Sequence, residues 1–178
     1  MPTREVTTLP DPILRKKARN VRAFTPELQA LIDDMIETMR AAPGVGLAAP
    51  QVSDSRRVIV VEWADPSENE EDPPPEPKLY ILVNPEIVRR SKESIVDHEG
   101  CLSVPGYIGE VERHASVTVK AKTRHGKSKR LKATGWLARI LQHEIDHLDG
   151  VLYIDRAIKI WRPEDLEDES QEQETPAV

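Results

Sequence analysis

The sequence predicts an α+β fold, with antiparallel β-sheets packed around a central helix and a second, amphipathic helix nearer the N-terminus. Three observations lead there. Apolar residues recur at helical spacing in two long segments, one after Thr25 and one after Thr134. Short β-branched runs lie between them, and Gly, Pro and Asn punctuate those runs. The central helix also carries two histidines four residues apart, His143 and His147, among apolar neighbours, so its imidazoles face the interior.

Taken in order, Asp11-Pro12 before Ile13-Leu14-Arg15 reads as a cap, a proline at the first helical position and one short helical turn. Thr25-Pro26-Glu27 repeats that signal. Leu28, Leu31, Ile32, Met35, Ile36 and Met39 then form one apolar stripe, whose meaning is core packing. The helix must stop at Pro43. The segment from Gly44 to Gln51 has almost no side-chain bulk and is expected to be a loop that another backbone can approach. It could be a plain turn, or a cleft wall whose Gln51 amide donates to a developing oxyanion. A phosphate cradle lacks its Lys-Ser/Thr and its third glycine.

Arg57 to Trp63 and Leu79 to Val83 read as strands, the second ended by Asn84-Pro85. Between them, Asp65 to Lys78 is acidic and proline-rich and reads as a mobile hairpin insertion without a core of its own. Ser94 to Asp97, the segment around Val111, Val117 to Ala121 and Arg130 to Ala133 supply further strands, giving an antiparallel meander. The basic stretch from Lys120 to Lys132 reads as a solvated hairpin. Thr134 caps the last strong helix, which ends at Leu148 before Asp149-Gly150. Past Ile160 the chain turns acidic and Gln-rich, and the pattern predicts a loose helix followed by a disordered tail.

A chain of 178 residues with 38% hydrophobic content supports one domain. We expect it over 1–162, including the 65–78 insertion, with 163–178 as the tail. A net charge of -6 argues against a general nucleic-acid binder. The single cysteine allows no internal disulfide and leaves its thiol for metal or chemistry, as suits a reducing compartment. No signal-like segment or membrane-length apolar run occurs, so a cytoplasmic location and no membrane partner are expected.

The chemistry concentrates in His143-Glu144-Ile145-Asp146-His147. On a helix this spacing sets both imidazoles on one face, with Glu144 beside them. A catalytic metal wants a third protein ligand and an open position for water, and Cys101, within Glu99-Gly100-Cys101-Leu102-Ser103, is the obvious candidate. Glu144 directly follows one ligand. It cannot easily bind the same ion, and so it stands where a general base would reach the water. Glu99 and Arg113 are either an ion pair steadying the Cys101 loop or two solvated charges.

Gly44 to Gln51, Glu99 to Ser103 and Gln142 to Leu148, in this order and over most of the chain, closely resemble the three signature motifs of the peptide deformylases. The resemblance implies removal of the formyl group from N-formylmethionine at the start of newly made polypeptides. It implies Cys101, His143 and His147 as metal ligands, Glu144 as general acid/base, and Gln51 with the backbone amide of Leu102 as oxyanion donors. Gly46 would lie along the substrate backbone, and the methionine side chain would enter an apolar pocket near Val45, Gly100 and Ile140. The implied cofactor is Fe²⁺, for which Zn²⁺, Ni²⁺ or Co²⁺ could substitute. The implied partners are N-formylmethionyl peptides and nascent chains near the ribosome, with no specific nucleic acid.

Two rivals remain at this level. A zinc endopeptidase could take its third ligand from Glu164 or Glu167, although Asp146 before the second histidine is unusual there and Cys101 is left unexplained. A closed structural metal site would need a fourth ligand from His98, His114 or His125.

Overall fold

A computed structural model describes residues 2–166. Its elements are helices α1 (Pro26–Ala41), α2 (Gly135–Leu148) and α3 (Tyr153–Arg156), and strands β1 (Gly46–Ala48), β2 (Val58–Trp63), β3 (Lys78–Arg90), β4 (Ser94–Cys101), β5 (Val104–His114), β6 (Ser116–Lys122), β7 (Ser128–Thr134) and β8 (Lys159–Trp161). The strands form two antiparallel sheets, one ordered β1-β2-β3-β6-β7 and the other β4-β5-β8. The expected single meander is therefore split. The β4-β5 hairpin leaves the first sheet after β3 and folds over α2, and the chain returns to the first sheet at β6.

Alternation along β2 shows how the larger sheet is covered. Ile59 and Val61 join the cluster under α2, while Val58 and Val60 join the cluster under α1. A strand buried on both faces must be apolar throughout, and the four residues Val58 to Val61 are all fully buried. Helix α1 begins as expected, with Thr25 Oγ1 accepting from the Leu28 amide and proline in the first turn. Leu28, Leu31, Ile32, Met35 and Met39 are completely buried, each contributing about 1.5–3 kcal/mol of transfer free energy. Helix α2 has the larger sheet on one side and the smaller on the other, which buries its imidazoles as expected. Its end is fixed by Gly150, which adopts φ 72° and where a Cβ would collide with the Arg15 carbonyl.

Four expectations need correction. Gly44 to Gln51 is not a loop: Gly46, Leu47 and Ala48 pair with Val61, Val60 and Ile59, and a 3₁₀ turn follows at Ala49–Val52. Small residues let this edge strand lie tightly between α1 and α2. β3 does not end at Asn84-Pro85. It passes through a register shift there, with Asn84 at φ 52° exchanging hydrogen bonds of 2.8 Å with both backbone groups of Val21, and runs on to Arg90. Thr134 stands at the N-cap of α2, but its side chain makes no capping bond. β8 lies at the point where a loose helix was expected to begin. Residues 163–166, the start of the expected 163–178 tail, form a helical turn, and the rest of that tail lies outside the described residues.

No helix among the described residues is long and apolar enough to cross a membrane. Residues 65–78, between β2 and β3, are all exposed. Replacing residues 66–77 by a short turn should therefore change Tm by no more than about 2 °C, the equivalent of about 0.5 kcal/mol for a chain of this size. A loss several times larger in a thermal melt would make the insertion structural.

Candidate active site and metal centre

The site is assembled from the two inner edges of the sheets and the helix between them. Cys101 sits at the end of β4, beyond a register shift in the β4-β5 pairing. His143 and His147 project from α2, one turn apart. Their ligand atoms and the Cys101 Sγ all lie within 4.8 Å of one another, with Sγ 3.3 Å from His147 Nε2. The sequence-predicted trio is thus brought together, and among the described residues no fourth histidine, cysteine or carboxylate joins it. His98 lines the cleft outside the cluster, and the ring of His114 bonds the Ser91 carbonyl instead. Glu164 is exposed, and Glu167 lies outside the described residues. Among the described residues a closed four-ligand site is accordingly not formed.

These residues fit a metal ion. One sulfur and two imidazole nitrogens are donors that zinc and ferrous iron both accept. His143 Nδ1 lies 2.7 Å from Glu99 Oε1, so Nδ1–H donates outward and Nε2 is left to coordinate. Beside the trio, Glu144 is buried and its Oε2 has no hydrogen-bond partner, as expected of an oxygen that meets water or substrate. Burial pushes its carboxyl up to about 7. Burial also lowers both imidazoles. In His143 hydrogen bonding to Cys101 and Glu99 outweighs it and raises the pKa well above the usual value, while His147 falls well below.

Glu99 anchors the whole arrangement. Its carboxylate accepts two bonds of 2.9 Å from Arg113 and one of 2.7 Å from Arg139, besides the one from His143. All four side chains are buried or nearly so. Burial alone would raise the Glu99 pKa, but Arg113 and His143 hold it well below the carboxylate range. The Glu99–Arg113 pair left open by the sequence is therefore real and interior. Sequence reasoning missed Arg139, Asp146 and Tyr153. Asp146 takes 2.6 Å and 2.7 Å bonds from Arg113 and Arg156. For Arg139 the available signal was a charged residue in the middle of a mostly apolar helix.

The cluster opens into a cleft of about 530 Å³. Val45, Gly46, Gln51, Gly100, Leu102 and Ile140 all line it, as do Glu144, Cys101 and His143. Gln51 is positioned by its own turn: Oε1 accepts from the Ala48 amide at 2.9 Å, and Nε2 donates to Ser103 Oγ at 3.1 Å and Cys101 Sγ at 3.6 Å.

A cysteine sulfur and two imidazoles beside a buried carboxyl group with an unpartnered oxygen, in an open cleft between antiparallel sheets, define a metal-dependent hydrolase. The sequence model of the polypeptide deformylase family matches residues 3–162. The peptide deformylase of Dehalococcoides mccartyi strain CBDB1 is 49% identical over 155 residues, covering 87% of this chain and 86% of that one. Among solved structures, the Met-Ala-Ser-bound class I type b peptide deformylase of Acinetobacter baumannii superposes with TM-score 0.78 at 41% identity, covering 86% of this chain and 98% of that one. The enzyme from Ehrlichia chaffeensis gives TM-score 0.78 at 35% identity, covering 99% of both chains. The chain belongs to the polypeptide deformylase family.

The Glu144 carboxylate rests directly on the β1 backbone, and a Cβ built on Gly46 would lie 2.6 Å from Glu144 Oε1. Gly46→Ala should displace that carboxylate while leaving the trio intact. Deformylation should fall by about 10²-fold, the effect of a misplacement near 1 Å, with metal content unchanged. Full turnover in the folded alanine variant would show that the seat of Glu144 is unimportant.

Proposed function

We propose that residues 1–162, including the 65–78 insertion, form the catalytic unit of this deformylase and that 163–178 is an accessory acidic tail. The chain hydrolyses the formamide bond of N-formylmethionyl peptides and releases formate. The observation that carries the reading is the convergence of Cys101, His143, His147 and Glu144 in one cleft.

Cys101, His143 and His147 would hold the ion. When bound, it supplies Lewis-acid polarisation and a water of lowered pKa. Glu144 accepts the proton from the attacking water and returns it to the departing amine, because an amide nitrogen leaves poorly as an anion. Gln51 Nε2 and the Leu102 amide donate to the developing oxyanion. The longer contact of Gln51, to the thiol, is the one that yields to substrate. Gly46 offers its backbone to the peptide, and Val45, Gly100 and Ile140 receive the methionine side chain. The Met-Ala-Ser bound in the Acinetobacter relative supports a peptide lying in the same cleft here.

The resident ion on this reading is Fe²⁺, replaceable by Zn²⁺, Ni²⁺ or Co²⁺. Ferrous iron beside a thiolate exposes the sulfur to stepwise oxidation, whereas zinc has no redox step to begin it. Substrates are nascent chains near the ribosome in the cytoplasm, with no specific nucleic acid or membrane taking part. The endopeptidase reading is set aside because Cys101, and not Glu164, completes the trio.

The test is formate release from formyl-Met-Ala-Ser, with acetyl-Met-Ala-Ser and casein as controls, on iron and zinc forms prepared without oxygen. Only the formyl peptide should be cleaved. The iron form should be faster and lose activity in air as oxygen is added at Cys101, which mass spectrometry would locate. Casein cleavage without formate release would overturn the reaction. Equal rates and equal air stability of the two forms would overturn iron.

A further inference from the structure

The structure assigns Tyr153 a positioning role that couples the metal ligand His143 to the wall of the substrate cleft. This rests on the reading of His143 as a ligand. Tyr153 opens α3, is only 1% exposed, and stacks its ring on His143 with centroids 5.9 Å apart and planes 23° apart. His143 is thereby bounded on three sides: Glu99 holds Nδ1, His147 meets the ring edge-on at 5.1 Å, and Tyr153 covers a face. Hydrogen bonding to Glu99 fixes the tautomer. It leaves rotation about that bond open, and a flat neighbour restricts it.

The other end of Tyr153 addresses the cleft. β4-β5 pairing jumps from Glu99↔Gly109 to Cys101↔Val104, so Gly100 alone stands opposite Pro105 to Ile108. A bulge of this kind leaves backbone groups without ladder partners. The Tyr153 hydroxyl donates to the Tyr107 carbonyl at 3.1 Å and takes up one of them. That carbonyl packs 3.7 Å from where a Gly100 Cβ would be, and both Tyr107 and Gly100 line the cleft. Room for the ring comes from Gly109, whose Cβ would lie 3.0 Å from Tyr153 Cε2. One side chain thus has two separable tasks: its ring steadies a ligand, and its hydroxyl steadies the bulge that walls the substrate cleft.

Full-length Tyr153→Phe and Tyr153→Leu, loaded with Co²⁺, separate the two tasks. Tyr153→Phe should keep the cobalt absorption bands and metal affinity of the parent. With the hydroxyl lost, KM for formyl-Met-Ala-Ser should rise about three- to tenfold at little-changed kcat, the worth of one hydrogen bond. Tyr153→Leu should shift the bands and weaken metal affinity about 10- to 100-fold in chelator competition. The proposal is overturned if Phe weakens the metal as Leu does, if Phe leaves KM unchanged, or if a folded Leu variant keeps the parent's bands. Should the Leu variant fail to fold, the Phe results alone decide. The cobalt bands are read without substrate, so a parent chain that released no formate would fail the reaction reading separately.

Discussion

A single buried carboxylate, Glu99, organises the active site. It is 7% exposed and would be costly in that position if unpaired. Arg113 grips it bidentately from β5, Arg139 reaches it from α2, and His143 donates to it from the same helix. Three elements that must be mutually fixed for Cys101 and the imidazoles to meet are thus tied to one pair of oxygens. Removing one partner from such a buried network typically costs about 3–5 kcal/mol, because the remaining charges are stranded. The network is therefore a device for orientation more than a source of net stability.

Around that anchor the backbone itself does much of the shaping. Arg139 also donates to the carbonyls of Val111 and Ile95, and Gln142 exchanges bonds with both backbone groups of His114, so α2 is fastened to the smaller sheet by polar contacts. Its other face meets the larger sheet mainly through apolar packing, with Leu137, Ala138, Leu141 and Leu148 in one cluster with residues of β2, β3 and β6, and Arg57 adds a bond to the Leu148 carbonyl. The cleft opens between these two attachments. Its walls are the small residues of β1 and the bulge before Cys101, where backbone can approach a peptide closely.

Much of this was legible in the sequence, for definite reasons. The α1 stripe carries strong periodicity, the β2 run from Val58 to Val61 is continuously β-branched, and the three segments around Gln51, Cys101 and His143 carry the chemistry. β1 was missed because Gly46-Leu47-Ala48 has no strand-forming residue to announce it, and only its contact with β2 makes it a strand. The continuation of β3 through Pro85 was missed because proline normally ends pairing, and here a register shift with Asn84 in a left-handed conformation absorbs it. Asp146 and Tyr153 were invisible as site residues because the contacts that give them their roles include partners 33 and 46 positions away. Local pattern carries no record of such distances.

If Glu99 is the constraint on which the centre depends, its effect must appear in metal binding and not in folding alone. The direct measurement is the Zn²⁺ dissociation constant of Glu99→Gln against the parent by chelator competition, with circular dichroism to confirm the fold. Loss of the charge that orients His143 should weaken zinc about 10- to 100-fold in folded protein. A folded Glu99→Gln variant with the parent's zinc affinity would contradict the account.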